Sequence, residues 1–142
     1  MNQSRTGYRL HDRLQADTVS LGMSRLCEVR LMNDSSWPWV ILVPAIAGVR
    51  EIYELEKAQQ QRLIEESSEL SRQMMTLFGG DKMNVAALGN MVPQLHIHHI
   101  VRFEGDPAWP GPVWGRQPPV AYSEDALART CERLAGVISS IS

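Results

Sequence analysis

The residues of this chain best suited to chemistry lie in Pro93-Gln94-Leu95-His96-Ile97-His98-His99-Ile100-Val101-Arg102-Phe103, which holds three of its four histidines. Imidazole can attack an electrophile, carry a proton or ligate a metal near neutral pH. The surrounding residues are apolar and β-branched, so the segment reads as a strand. Side chains alternate across a strand, so Gln94, His96, His98, Ile100 and Arg102 share one face. Leu95, Ile97, His99, Val101 and Phe103 share the other. That second face is apolar apart from His99, so it is expected to face the core, with His99 a packing histidine. The first is expected to be the functional face. His96 and His98 then stand about 6–7 Å apart at Cα and can address one ligand together.

Three chemistries fit that spacing. A His-x-His pair can begin a zinc or iron site, but it needs a third ligand, usually a carboxylate or another histidine. His99 faces away, His11 is remote in sequence, and no acid is adjacent to the pair. The second chemistry is nucleophilic attack at phosphorus by a neutral imidazole, giving a phosphoramidate intermediate. It requires donors for the phosphoryl oxygens, for which Gln94, His98, Asn84 and Asn90 are candidates. Gly89 would let the backbone come close to a phosphate. Arg102 would be either a phosphate clamp or a strand-end charge paired with Glu104 or Asp106. The third reading is structural: two half-buried histidines hydrogen-bonded within a sheet.

The elements that must position these residues are legible from periodicity. Residues 8–21 read as a short helix followed by a loop. Residues 27–32 alternate apolar and polar and predict a strand; 33–36 (NDSS) is a turn; 37–45 (WPWVILVPA) is a largely buried strand completing a hairpin. Between 56 and 78, Leu63, Leu70, Met74 and Leu77 mark one helix face, the Glu-rich remainder is expected to be solvated, and Gly79-Gly80 ends the helix. Residues 82–89 and 94–103 are the next two strands, joined by a short connection and expected to pair antiparallel. The segment 106–119 carries five of the eight prolines and two of the four tryptophans, an ordered loop. Ser123, followed by Glu124 and Asp125, caps a C-terminal helix over about 123–138. The fold expected is α+β, an antiparallel sheet of four or five strands with one long helix and a terminal helix.

With 142 residues, the chain is expected to form a single domain, 1–142. An apolar fraction of 44% and a charged fraction of 21% suit a globular protein. A net charge of −2 offers nothing to nucleic acid or to an anionic membrane. No run reaches the roughly 18 apolar residues of a membrane span, and the first 18 residues lack the apolar core of a leader. Cys27 and Cys131, far apart in core-like segments, are expected to be free thiols, in keeping with a cytoplasmic protein.

Gln94-Leu95-His96-Ile97-His98-His99-Ile100 resembles the histidine triad (HIT) superfamily pattern, with glutamine in place of the first histidine. NVAALGNMVP upstream, AWPGPVWG downstream and WVILVP earlier resemble the family's flanking segments, so the likeness covers roughly residues 26–116. It implies a HIT-like five-stranded antiparallel sheet with a long helix, usually in a homodimer. It also implies nucleotide binding, with hydrolysis or transfer of a nucleoside monophosphate from a phosphoramidate, dinucleoside polyphosphate or nucleotide sugar. His96 would be the nucleophile, His98 would hydrogen-bond the phosphate or leaving group, and Gln94 would help to position them. Asn84, Gly89 and Asn90 would contact phosphate, and Asp34 or Asn33 would hold the ribose. The ligand would be a purine nucleotide or nucleoside phosphoramidate, with no metal and no organic cofactor. Trp39 stands where many members carry a histidine, and the histidine usual after the strand's proline is absent. A nucleotide-binding protein without turnover is the alternative, and a metal-dependent enzyme a third reading.

Overall fold

A computed structural model describes residues 7–142; the first six, part of the stretch read as lacking a leader, lie outside the described residues. The chain runs α1 (Asp12–Asp17), β1 (Thr18–Met23), β2 (Cys27–Met32), β3 (Trp39–Pro44), a 3-10 turn at Ile52–Glu54, α2 (Lys57–Phe78), β4 (Lys82–Ala86), β5 (Ile97–Arg102) and α3 (Glu124–Ser140). The five strands form one antiparallel sheet in the order β1-β2-β3-β5-β4. This is the α+β architecture expected.

β1 was expected to be loop. Its residues TVSLGM carry weak alternation, and Gly22, at φ 120°, sits at a bulge in the pairing with β2. What makes it a strand is the exposed edge of β2, a tertiary partner. The helices end where local chemistry places the ends. Glu56 and Gln59 form a capping box at the start of α2, and Gly79 closes it in the left-handed conformation at φ 65°. The Ser123 hydroxyl accepts from the Ala126 amide at the start of α3.

Both faces of the sheet are covered. α2 and α3 pack on one face, burying Leu63, Leu70, Met74, Leu134 and Val137 against Val29, Leu31, Leu42, Ile97 and Val101. His99 joins that side as expected, with no exposed surface. Its Nδ1–H donates to the Ile97 carbonyl at 3.1 Å, which leaves Nε2 to accept from the Ser67 hydroxyl on α2 at 2.7 Å. The ring therefore pins the long helix to the strand that carries the site.

The solvated helix face is corrected at Glu66, which is 1% exposed. Its carboxylate accepts from the Ser24 hydroxyl, from the Leu26 amide at 3.1 Å and from Arg62 at 2.6 Å, and so holds the β1–β2 turn. A buried carboxylate is tolerated only when its lone pairs are filled this way. Cys27 and Cys131 are free, and no helix among the described residues is long and apolar enough to cross a membrane.

The histidine face is not bare. A second apolar cluster covers it, with Leu10 and Leu14 from the N-terminal segment, Trp37, Trp39, Ile41 and Val43 from β3 and its approach, Ile100 from β5, and Val113 from the proline-rich loop. Sequence alternation separated the two faces but gave no sign that the N-terminal segment would fold over this one.

Candidate functional site

β5 is an inner strand between β3 and β4, so its backbone is hydrogen-bonded on both sides and its side chains are held rigidly. His96, one residue ahead of it, is 7% exposed, and His98 is 4% exposed. Their ring centroids are 5.0 Å apart with planes at 70°.

Their hydrogen bonds fix the tautomers. His96 Nδ1 lies 2.7 Å from the Gln94 carbonyl oxygen, which can only accept. Nδ1 therefore carries the proton, and Nε2 keeps its lone pair. Burial lowers the His96 pKa, the Gln94 carbonyl partly offsets that, and the nearby His11 lowers it further, so the ring is neutral and nucleophilic. His98 is arranged the opposite way. The Trp39 indole N–H, which can only donate, lies 3.0 Å from His98 Nδ1. His98 therefore carries its proton on Nε2 and presents a donor. Burial, with smaller contributions from His96 and His99, pushes its pKa down to about 3, so it does not charge near neutral pH. Trp39 and Trp114 wall the ring at centroid distances of 5.7 and 5.1 Å. A lone pair and an N–H donor, on adjacent rings in a water-poor setting, are what attack on an anionic tetrahedral centre requires.

Both histidines open on a pocket of about 330 Å³ whose apolar wall includes Leu14, Met32, Leu88, Met91 and Trp114, and which Gly89 and Asn90 also line. A second depression of about 330 Å³ adjoins it, sharing Arg13, Asp17, Met32 and Trp114, and is lined by Asn33 and Asp34. The structure thus gathers His96, His98, Gly89 and Asn90 around one pocket and puts Asn33 and Asp34 beside it. The Asp34 carboxylate accepts from the Ser36 and Val120 amides, and Asn33 Oδ1 accepts from the Tyr122 amide, so both also tether the segment leading to α3.

Three expected site residues are committed elsewhere. Arg102 is 1% exposed, and its guanidinium bonds Asp106 at 2.8 and 3.0 Å and Asn84 Oδ1 at 2.8 Å. Of its two sequence readings, the ion pair holds and the free clamp does not. Asp106 also accepts from the Phe103, Ala108 and Trp109 amides. Burial works against its ionisation, but Arg102 and those three amides outweigh it and hold the carboxyl well below the usual range. Gln94, expected to position phosphate, turns to the N-terminal segment: Oε1 accepts from the His11 amide at 2.8 Å, and Nε2 donates to the Arg9 carbonyl at 2.9 Å.

Two residues that the sequence reading gave no role in the site matter here. Trp39 orients His98, and its position two residues before Ile41, the partner of His98, becomes apparent only with the β3–β5 register. His11 is remote from His96 in sequence, yet Gln94 brings it close enough to bias that ring electrostatically. No local signal could have found a contact spanning 83 residues. Among the described residues, no group of three or more His, Cys, Asp or Glu is placed to hold a metal ion.

The fold and the site together define a class: α+β proteins with a histidine pair on an inner strand of an antiparallel sheet, opening on an apolar pocket. The HIT domain family model matches residues 13–105, and the chain belongs to that family. The match begins earlier than the motif resemblance, taking in α1 from its second residue and all of β1. A histidine triad protein from Marinobacter aquaeolei VT8 is 66% identical over 95% of this chain and 98% of its own, with a TM-score of 0.94. One from Bradyrhizobium japonicum is 41% identical over 92% of this chain and 98% of its own, with a TM-score of 0.90. One from Sinorhizobium meliloti 1021 is 40% identical over 97% and 99%, with a TM-score of 0.89. No curated protein matches the chain significantly.

Proposed function

We propose that this protein hydrolyses or transfers a nucleoside monophosphate from a nucleoside phosphoramidate or a related phosphoanhydride, through a nucleotidyl-histidine at His96. The observation that supports this reading best is the pair of opposed tautomers, His96 with a free Nε2 lone pair and His98 with an Nε2–H donor, at the mouth of one pocket. In the first step the His96 Nε2–P bond forms and the bond from phosphorus to the leaving group breaks, the electron pair departing with that group. His98 Nε2–H stabilises a phosphoryl oxygen as charge builds. Water then attacks phosphorus, the P–N bond to His96 breaks, and the monophosphate is released. The apolar wall of Leu14, Met32 and Trp114 suits a purine base, and Asp34 or Asn33 the ribose. Gly89 and Asn90 line the same pocket as His96 and would contact the phosphate, whereas Asn84 is bonded to Arg102, which pairs with Asp106.

The expected homodimer belongs to the same proposal. β4 is a sheet edge on which Val85 is half exposed, a surface that a second copy could cover. The test of function is AMP release from a tryptamine adenosine phosphoramidate, wild type against His96→Ala. Release that falls by at least about a thousandfold in the variant supports the nucleophile. Binding of AMP with no release by either protein would show a nucleotide-binding module instead.

A further inference from the structure

The histidine pocket and the depression beside it share four wall residues, Arg13, Asp17, Met32 and Trp114. Two of the four are charged, and both come from α1. Arg13 Nε donates to Asp17 Oδ2 at 2.9 Å, about one helical turn away. The contact uses one nitrogen of the guanidinium and one oxygen of the carboxylate. The two Nη groups of Arg13 and Asp17 Oδ1 make no other hydrogen bond among the described residues. A half-exposed pair of this kind adds little to stability. What it supplies is a polar edge, donors beside acceptors, next to the apolar wall of Leu14, Met32 and Trp114.

The sheet fixes where that edge lies. Asp17 precedes Thr18, which pairs with Met32, and the Asp17 carbonyl accepts from the Asn33 amide at 3.1 Å. Asp17 therefore adjoins Asn33 and Asp34, the residues proposed to hold the ribose. The Thr18 hydroxyl donates to the Leu14 carbonyl and accepts from the buried Arg30 at 2.9 Å, which locks α1 to β1. Leu14 is buried, and the Gln94 amide grips residues 9 and 11 just upstream. A group that discriminates between ligands needs such a mount.

The ion pair has no net charge. A phosphate here would meet the carboxylate as well as the guanidinium, and the histidines already offer phosphate a donor and a nucleophile. A neutral ring with donors and acceptors along one edge suits the pair, and a nucleobase is such a ring. Guanine presents N1–H and N2–H side by side to a carboxylate and O6 next to them to a guanidinium. Adenine presents its N6–H, and its N1 lone pair then faces the second carboxylate oxygen. We propose that Arg13 and Asp17 read the base and make the site selective for guanine nucleotides. The placement of the base rests on the function proposed above, with phosphate at His96 and ribose at Asp34 or Asn33. Since Arg13 and Asp17 line both depressions, they meet the base in either one.

The test uses the tryptamine phosphoramidates of guanosine, inosine and adenosine 5′-monophosphate, which differ only in the base. Wild type is expected to favour guanosine over adenosine about tenfold in kcat/KM, a modest ratio because solvent screens a half-exposed pair. Inosine keeps O6 and N1–H but lacks the 2-amino group, and is expected to fall between them. Asp17→Asn keeps the size of the side chain and is expected to bring guanosine and adenosine within about twofold. Arg13→Met removes the donors to O6 and is expected to lower guanosine and inosine alike, and adenosine less. Calorimetry with GMP and AMP reads the base without turnover: GMP is expected to bind about tenfold tighter to wild type, and Asp17→Asn to lose the difference. Equal handling of the guanine and adenine compounds by wild type, or a preference that survives Asp17→Asn, overturns the base reader and leaves the nucleotidyl-histidine reading intact. A uniform loss over all three bases in Arg13→Met makes Arg13 a phosphate contact and overturns it too. An Asp17-dependent preference for GMP in a protein that turns over none of the three keeps the base reader and sinks the nucleotidyl-histidine.

Discussion

Replacing Trp39 with phenylalanine probes the site through one hydrogen. The ring is 5% exposed, and its N–H is the partner that holds His98 Nδ1 as an acceptor. Without it, nothing on that side favours the Nε2–H tautomer, and a buried Nδ1 is left unpaired at a cost of about 1–3 kcal/mol. The ring can then shift its proton to Nδ1, which turns a lone pair instead of a donor toward the phosphoryl oxygen. A hydrogen bond to a charged oxygen is worth about 1.5–3 kcal/mol, so kcat/KM for a phosphoramidate is expected to fall roughly ten- to hundredfold. Long-range proton–nitrogen spectra of ring-labelled protein report the tautomer directly, with or without turnover. Thermal unfolding measures separately the packing lost with the larger ring, expected to be about 2 kcal/mol. A variant that keeps the Nε2–H tautomer and turns over within twofold of wild type would refute the orienting role.

Other consequences are checkable by different means. Asp106→Ala leaves the guanidinium of Arg102 buried and unpaired and is expected to cost about 3–5 kcal/mol in denaturant unfolding; a loss under 1 kcal/mol would mean that the pair does not organise the loop. Gln94→Ala should release the N-terminal segment, with amide exchange at His11 losing protection and stability falling by about 1 kcal/mol; unchanged protection there would refute the strap. Burial pushes the pKa values of His98 and His99 down to about 3 and about 4, below the ordinary 6.5. The unfolded chain therefore binds protons below about pH 6.5 while the native state does not. Their neutral burial leaves stability whole above that pH and erodes it on acidification, by about 1.4 kcal/mol per histidine per pH unit between pH 6 and 4.5. An unfolding free energy flat across that window would contradict the buried neutral rings.

The sequence by itself determined the local features. Alternation over residues 94–103 assigned His96 and His98 to one face and His99 to the other, because a strand's period leaves no choice once its core side is apolar. The 3.6-residue period and Gly79 fixed α2, and Ser123 fixed the start of α3, because caps are satisfied within a few residues. The order of the motifs around Gln94-Leu95-His96 carried the family. Tertiary structure decided the contacts between segments distant in the chain. It made a strand of residues 18–23 through pairing with β2 and buried Glu66 beneath a turn some forty positions earlier. It turned Arg102 from a candidate clamp into the anchor of the loop that follows. The tautomer of His98, and the arrival of His11 beside Gln94 and His96, belong to the same kind, whereas the Gln94 carbonyl two residues away sets the tautomer of His96. The Trp39 indole reaches His98 across 59 residues, and Gln94 reaches the His11 amide across 83. Periodicity says which way a side chain points, but only the closed fold says what it meets.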